Sequence, residues 1–202
     1  MSKHKIISSI QYFYQDQKLR PLINVGIFLV LLFASHFLYL WWESYDLYPF
    51  SRQRKQLFAI ASKLLFEQST WVLDHIFHLN HTTEGQTIWV LTNDNHWGFV
   101  GVSPGCTSLK QWIHWIFIMV LFPGPWRHKL WYIPLGIIVI HFVNLVRIVG
   151  LSVSLLHWSQ HFHFLHTYIF KTFFYFMIFL LWVIWAEKFS LKNTKGEFKK
   201  SL

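Results

Sequence analysis

The chain has 202 residues and a formal net charge of +9, with 53% hydrophobic, 20% aromatic and only 13% charged residues. Ordinary soluble domains carry about a quarter charged residues. Here the apolar residues are also gathered into long runs, which excludes that class and points to an integral membrane protein. The basic residues cluster beside those runs, as topology signals and contacts with anionic lipid rather than as a nucleic-acid footprint. One cysteine, Cys106, excludes an internal disulfide.

Residues 1–20 are polar and basic (Lys3, Lys5, Lys18, Arg20), and Tyr12, Phe13 and Tyr14 suggest a short interfacial helix. A first span runs from Pro21 to Trp42 with no charge inside it. It is too long for a signal-peptide core and has no small-residue cleavage site after it, so it reads as a retained helix. Trp41 and Trp42 mark an interface.

The segment 43–105 is more polar and lowers the mean hydropathy of the chain to +0.32. From Arg52 to His78, Leu57, Ile60, Ala61, Leu64, Leu65, Trp71 and Val72 recur at helical spacing, so an amphipathic helix is expected to lie on the bilayer or the bundle. The runs Thr87–Thr92 and Trp97–Val102 flank Asn93-Asp94-Asn95-His96 and read as a β-hairpin. The hairpin delivers the chain to Ser103-Pro104-Gly105-Cys106-Thr107-Ser108.

Three more apolar runs follow: Thr107 to Phe122, closed by Pro123-Gly124-Pro125; Leu130 to about Leu156; and His166 to Trp185. The expected fold class is therefore an all-α membrane bundle of about four helices, with an extracytoplasmic amphipathic helix and a small hairpin. The segments are a cytoplasmic arm (1–20), a first span (21–42), an outer segment (43–105), a three-helix core (106–187) and a basic tail (188–202). Four spans put the arm, the basic Trp126–Lys129 loop and the tail on one side, which the positive-inside rule makes cytoplasmic. Arg52, Arg54, Lys55 and Lys63 in the outer segment run against that rule and suit contacts with lipid headgroups.

At about 1.5 Å of rise per residue, Cys106 stands roughly 25 Å above Pro123, Arg147 roughly 27 Å above Lys129, and His166 roughly 31 Å above Glu187. All three reach one level near the outer edge of a hydrocarbon core about 30 Å thick. His114 and His141 fall well below that level and read as packing or interhelical hydrogen-bond residues.

Pro104-Gly105 before Cys106 and Thr107-Ser108 after it place the thiol at a helix N-terminus, where the helix dipole and free N–H groups favour a thiolate and offer an oxyanion hole. Arg147 is the only Asp, Glu, Lys or Arg between Lys129 and Lys171. A charge within a membrane helix marks function by default. Asn144 and His141, at i−3 and i−6, give its helix one polar stripe, which favours an inward guanidinium over snorkelling. His157, His161, His163 and His166 crowd together and taken alone could be a metal site. Nucleophilic catalysis needs one imidazole near the thiol, and depth favours His166.

These residues resemble the exosortase/archaeosortase family of membrane cysteine proteases or transpeptidases. Its pattern is a cysteine opening one membrane helix, an arginine late in the next and a histidine opening the last. The matches are Cys106 in Gly-Cys-Thr-Ser, Arg147 in Asn-Leu-Val-Arg-Ile and His166 in His-Thr-Tyr-Ile-Phe, within about Thr87 to Glu187. Thr107-Ser108 departs from the Ser-Gly usual after the cysteine, and many members carry further N-terminal spans. The resemblance implies cleavage or transpeptidation of exported, membrane-anchored proteins bearing C-terminal sorting signals, at the outer face of the cell membrane. Cys106, Arg147 and His166 would be catalytic, with Asn144, Thr107 and Ser108 lining the site and neither metal nor cofactor required. The rival expectation is a non-enzymatic assembly or transport subunit, binding an anion at Arg147 or a metal at the 157–166 histidines.

Overall fold

Apolar runs long enough to cross a bilayer core can satisfy their backbone within one segment only as helices, and three do so among the described residues. The computed structural model describes residues 19–44, 50–93 and 95–190. Helices α1 (Arg20–Ser44) and α2 (Phe50–His75) lead into strands β1 (His81–Glu84), β2 (Thr87–Leu91) and β3 (Trp97–Gly101). A 3-10 turn, Pro104–Cys106, precedes α3 (Leu109–Leu121) and α4 (Trp126–Trp158). The chain then passes through Ser159–His161, a single turn Phe162–Phe164 and a π-helical segment Leu165–Phe170 into α5 (Lys171–Trp185), which ends in π-helical Ala186–Ser190. The expected interfacial helix around Tyr12–Tyr14 and most of the basic tail lie outside the described residues.

Among the described residues, three helices rather than about four are long and apolar enough to cross a membrane: Pro21–Ser44, Trp126–Leu156 and Ser159–Phe189. The run from Thr107 to Phe122 yields only 13 helical residues, about 20 Å of helix. Thr107 is extended, which delays the helix start to Leu109. At the other end Phe122 is extended ahead of Pro123 and Pro125.

The expected loop Trp126–Lys129 is instead the first turn of α4. Lys129 is 3% exposed, and its Nζ donates to Val120 O at 3.0 Å and Phe122 O at 2.7 Å. It thus satisfies carbonyls that the end of α3 leaves open. Its ammonium caps the end of α3.

The hairpin is present with one strand more than expected, giving an antiparallel sheet in the order β1-β2-β3. Ile88 pairs with Val100 and Val90 with Gly98. Strand alternation turns Ile88, Val90 and Val100 inward, where with Val102 they pack on Leu65 and Leu73 of α2 and on Ile148, Val149, Leu151 and Leu155 of α4. A second core lies within the bundle, where Phe28, Trp115, Ile118, Met119, Tyr132, Ile140, Val143, Phe174, Ile178 and Trp182 meet. α4 belongs to both cores. Close approach at its lower end depends on Gly136, where a Cβ would collide with the Trp115 ring; that indole donates to Ile133 O at 3.2 Å.

α2 divides its apolar residues between two faces. Leu65 and Leu73 are buried against the bundle, with Ser62 and Ser69 between turns bonding back to Ala59 O and Leu65 O. Leu57, Ile60, Leu64 and Trp71 point outward. Helical spacing alone cannot separate such faces; the bundle half of the expectation finds its residues in Leu65 and Leu73.

Candidate active site

The segment after β3 is shaped by Pro104, whose ring fixes φ and suits the first position of a helical turn. Ser103 is extended, Cys106 N–H donates to Ser103 O at 2.9 Å, and the Thr107 hydroxyl donates to Pro104 O at 2.9 Å. Cys106 therefore closes a 3-10 turn just ahead of α3, instead of opening a membrane helix as expected. The Thr107 N–H donates to Pro104 O at 3.4 Å and is thus not among the free N–H groups. The half-buried thiol lies 3.5 Å from Ser103 Oγ and 3.6 Å from Gly101 O.

The polar stripe of α4 reaches three different elements. His141 Nε2 lies 2.7 Å from Gln68 Oε1 of α2, to which it donates. Asn144, 1% exposed, donates from Nδ2 to Cys106 O at 2.9 Å. Arg147 donates from Nη2 to His166 Nε2 at 3.3 Å. One helix face thus fixes the inner end of α2, the cysteine turn and the start of the last helix. Gln68, His141, Asn144, Thr107 and Ser108 also line a cavity of about 180 Å³ behind the cysteine.

His166 sits in the π-helical segment, whose wide turn shifts the faces of the residues around it. Gly150 lets that segment close on α4, since a Cβ there would stand 2.7 Å from the Phe170 ring. His161 and His163 are exposed, and the side chain of His157 lies outside the described residues. Among the described residues, no three His, Cys, Asp or Glu side chains gather into one site.

Because a guanidinium only donates, His166 Nε2 accepts and carries no proton in this arrangement. Arg147 Nε is buried with no hydrogen-bond partner. No carboxylate among the described residues pairs with Arg147. A buried donor without an acceptor is costly, so this guanidinium has capacity left for an anionic or carbonyl oxygen. The structure brings Arg147 to His166 and Asn144 to Cys106; no hydrogen bond among the described residues joins the thiol to Arg147 or His166.

The model of the transmembrane exosortase family matches residues 28–183, which take in the cysteine turn, the α4 stripe and His166. The chain belongs to the exosortase family. Neither the comparison with curated proteins nor that with solved structures gave a match. Membership supports a membrane protease- or transpeptidase-like function, and the helical bundle agrees with a membrane-embedded exosortase. Two site neighbours were not anticipated from the sequence of this exosortase. Ser103, three residues before the cysteine, could have been found from the turn spacing; Gln68 carries no local signal, because its role depends on how α2 docks on α4.

Proposed function

We propose that this exosortase acts as a cysteine peptidase or transpeptidase on membrane-anchored proteins with C-terminal sorting signals, at the extracytoplasmic face of the cell membrane. The observation that carries the reading is the α4 stripe: Arg147 on His166, and one turn below it Asn144 on the carbonyl of Cys106. Through one helix it ties the expected electrophile to the expected base and holds the turn that carries the expected nucleophile.

In this reading a substrate carbonyl oxygen draws Arg147 away from His166, and the freed Nε2 takes the proton of Cys106. The thiolate attacks the scissile carbonyl carbon, forming a C–S bond and a tetrahedral oxyanion that the guanidinium stabilises. The C–N bond breaks as the imidazolium returns its proton to the leaving amine. The resulting thioester is resolved by water or by an acceptor amine. Arg147 serves by electrostatic stabilisation in a site partly screened from water, where such donors act most strongly.

The test is Cys106→Ala beside Cys106→Ser in membranes carrying a substrate with a C-terminal sorting signal. Both should abolish processing at normal enzyme levels, and wild type should yield a hydroxylamine-sensitive enzyme–substrate adduct that neither variant forms. Full processing by Cys106→Ala would end the reading.

A further inference from the structure

A crevice of about 490 Å³ opens on the other flank of the cysteine turn. Its walls are Tyr39 and Glu43 of α1, Arg54, Lys55 and Phe58 of α2, Pro104, Gly105 and Thr107 of the turn, and Lys110 and Gln111 of α3. Among the described residues of the lining, the cations Arg54, Lys55 and Lys110 outnumber the carboxylate Glu43. Two of these cations are held in place: Arg54 lies 3.9 Å from Glu43 and 5.4 Å from the Trp42 ring centre, and the Lys110 ammonium lies 4.7 Å from that of Tyr39.

Lys110 and Gln111 also line a second cavity of about 230 Å³ running down the seam between α1, α3 and α5. Its other walls are mostly apolar, with Leu32, Phe33, Trp115 and Ile178 beside His36 and His114. At the junction the Gln111 side-chain oxygen is buried without a hydrogen-bond partner. A basic mouth, an acceptor lacking a donor and an apolar shaft below match, in that order, a phosphate, a headgroup hydroxyl and an acyl chain.

From this we infer that the crevice is a binding site for one anionic phospholipid, with its phosphate among Arg54, Lys55 and Lys110 and an acyl chain between α1 and α3. A free phosphate or an acidic peptide offers the same charge to the mouth, but neither fills the shaft. The occupant bears on Pro104, Gly105 and Thr107, and so on the turn that carries Cys106. The site is independent of the thiol's chemistry: Cys106→Ala should bind lipid like wild type, which separates failure here from failure of the peptidase reading.

The test uses the full chain purified in detergent from bilayers of equal phosphatidylcholine and phosphatidylglycerol, with retained lipid measured by native mass spectrometry. Phosphatidylglycerol should be retained in preference. Lys110→Gln should weaken that preference about five-fold, the weight of one basic residue at an anionic lipid surface. Lys63→Gln, on an exposed part of α2, should leave it unchanged. Glu43→Gln removes the one carboxylate among the described residues of the mouth and should strengthen retention, a direction that misfolding cannot mimic. Equal retention of the two lipids, or no gain in Glu43→Gln, would overturn the inference. So would displacement of the lipid by glycerophosphate as readily as by short-chain phosphatidylglycerol, or capture of an acidic peptide without any lipid preference.

Discussion

Replacing Arg147 with lysine keeps the charge and most of the stem but removes the fork. In the structure the guanidinium has two separate functions. One Nη2–H engages His166 at 3.3 Å, and a buried Nε–H is unpartnered. A single ammonium cannot hold the imidazole and also present a second donor at fixed geometry. Loss of one preorganised oxyanion donor costs about 2.7–4 kcal/mol, or about a hundred- to a thousand-fold in rate. Arg147→Lys should therefore insert and accumulate normally while processing substrate at that reduced rate. The assay is the ratio of cleaved to uncleaved substrate at matched enzyme levels, with single-turnover adduct formation to separate acylation from release. If the guanidinium merely snorkelled to headgroups, lysine would serve as well. Processing within about ten-fold of wild type, a barrier change near 1.4 kcal/mol, would remove Arg147 from the chemistry.

Among the clustered histidines, His166→Ala should abolish processing while His161→Ala and His163→Ala keep it near wild type; bound metal lost with any one of them would favour the rival subunit reading. Asn144→Ala leaves the Cys106 carbonyl without its buried donor and should lower stability by about 1–3 kcal/mol, read as a thermal shift in detergent, together with slower processing. Gly136→Ala puts a methyl group into the Trp115 ring and should cost about 1–3 kcal/mol through overpacking, with reduced accumulation in membranes as the readout.

Legibility of the site followed chemical cost. Arg147 stood out because a charge in an apolar run demands a reason, and the depth argument placed it beside the level of Cys106 and His166. Asn144 was legible as part of the same stripe, though its partner was not. The punctuation around Cys106 was visible, but whether Pro104-Gly105 opens a long helix or a single 3-10 turn depends on the backbone of Thr107, which residue type does not fix. The π-helical geometry around His166 has no sequence signature, since it arises from how the last helix meets α4. β1 was missed because His81-Thr82-Thr83-Glu84 is a mostly polar edge strand, whose pairing with β2 comes from the sheet and not from its own hydrophobicity. Lys129 was legible as a basic residue beside a span but not as a cap, because its partners are open carbonyls that only the packing of α3 on α4 brings to it.

The position of the stripe explains why one helix is so long. α4, at 33 residues, runs about 50 Å, whereas α3 beside it runs about 20 Å. The lower half of α4 completes the aromatic core of the bundle through Ile140 and Val143; the upper half, from Ile148, carries the sheet and α2. His141, Asn144 and Arg147 occupy the joint between these cores. There α3 has ended, and the cysteine turn, α2 and the last helix all bring polar groups to the same face. Within the cores a polar group finds mainly helix carbonyls, as Trp115 and Tyr132 do, and buried polar groups without partners are destabilising. At the joint each has one, and Arg147 still keeps a donor to spare. The same short α3 opens the flank on which the basic crevice lies, so both the site and its neighbouring cavity arise from the mismatch in length between α3 and α4.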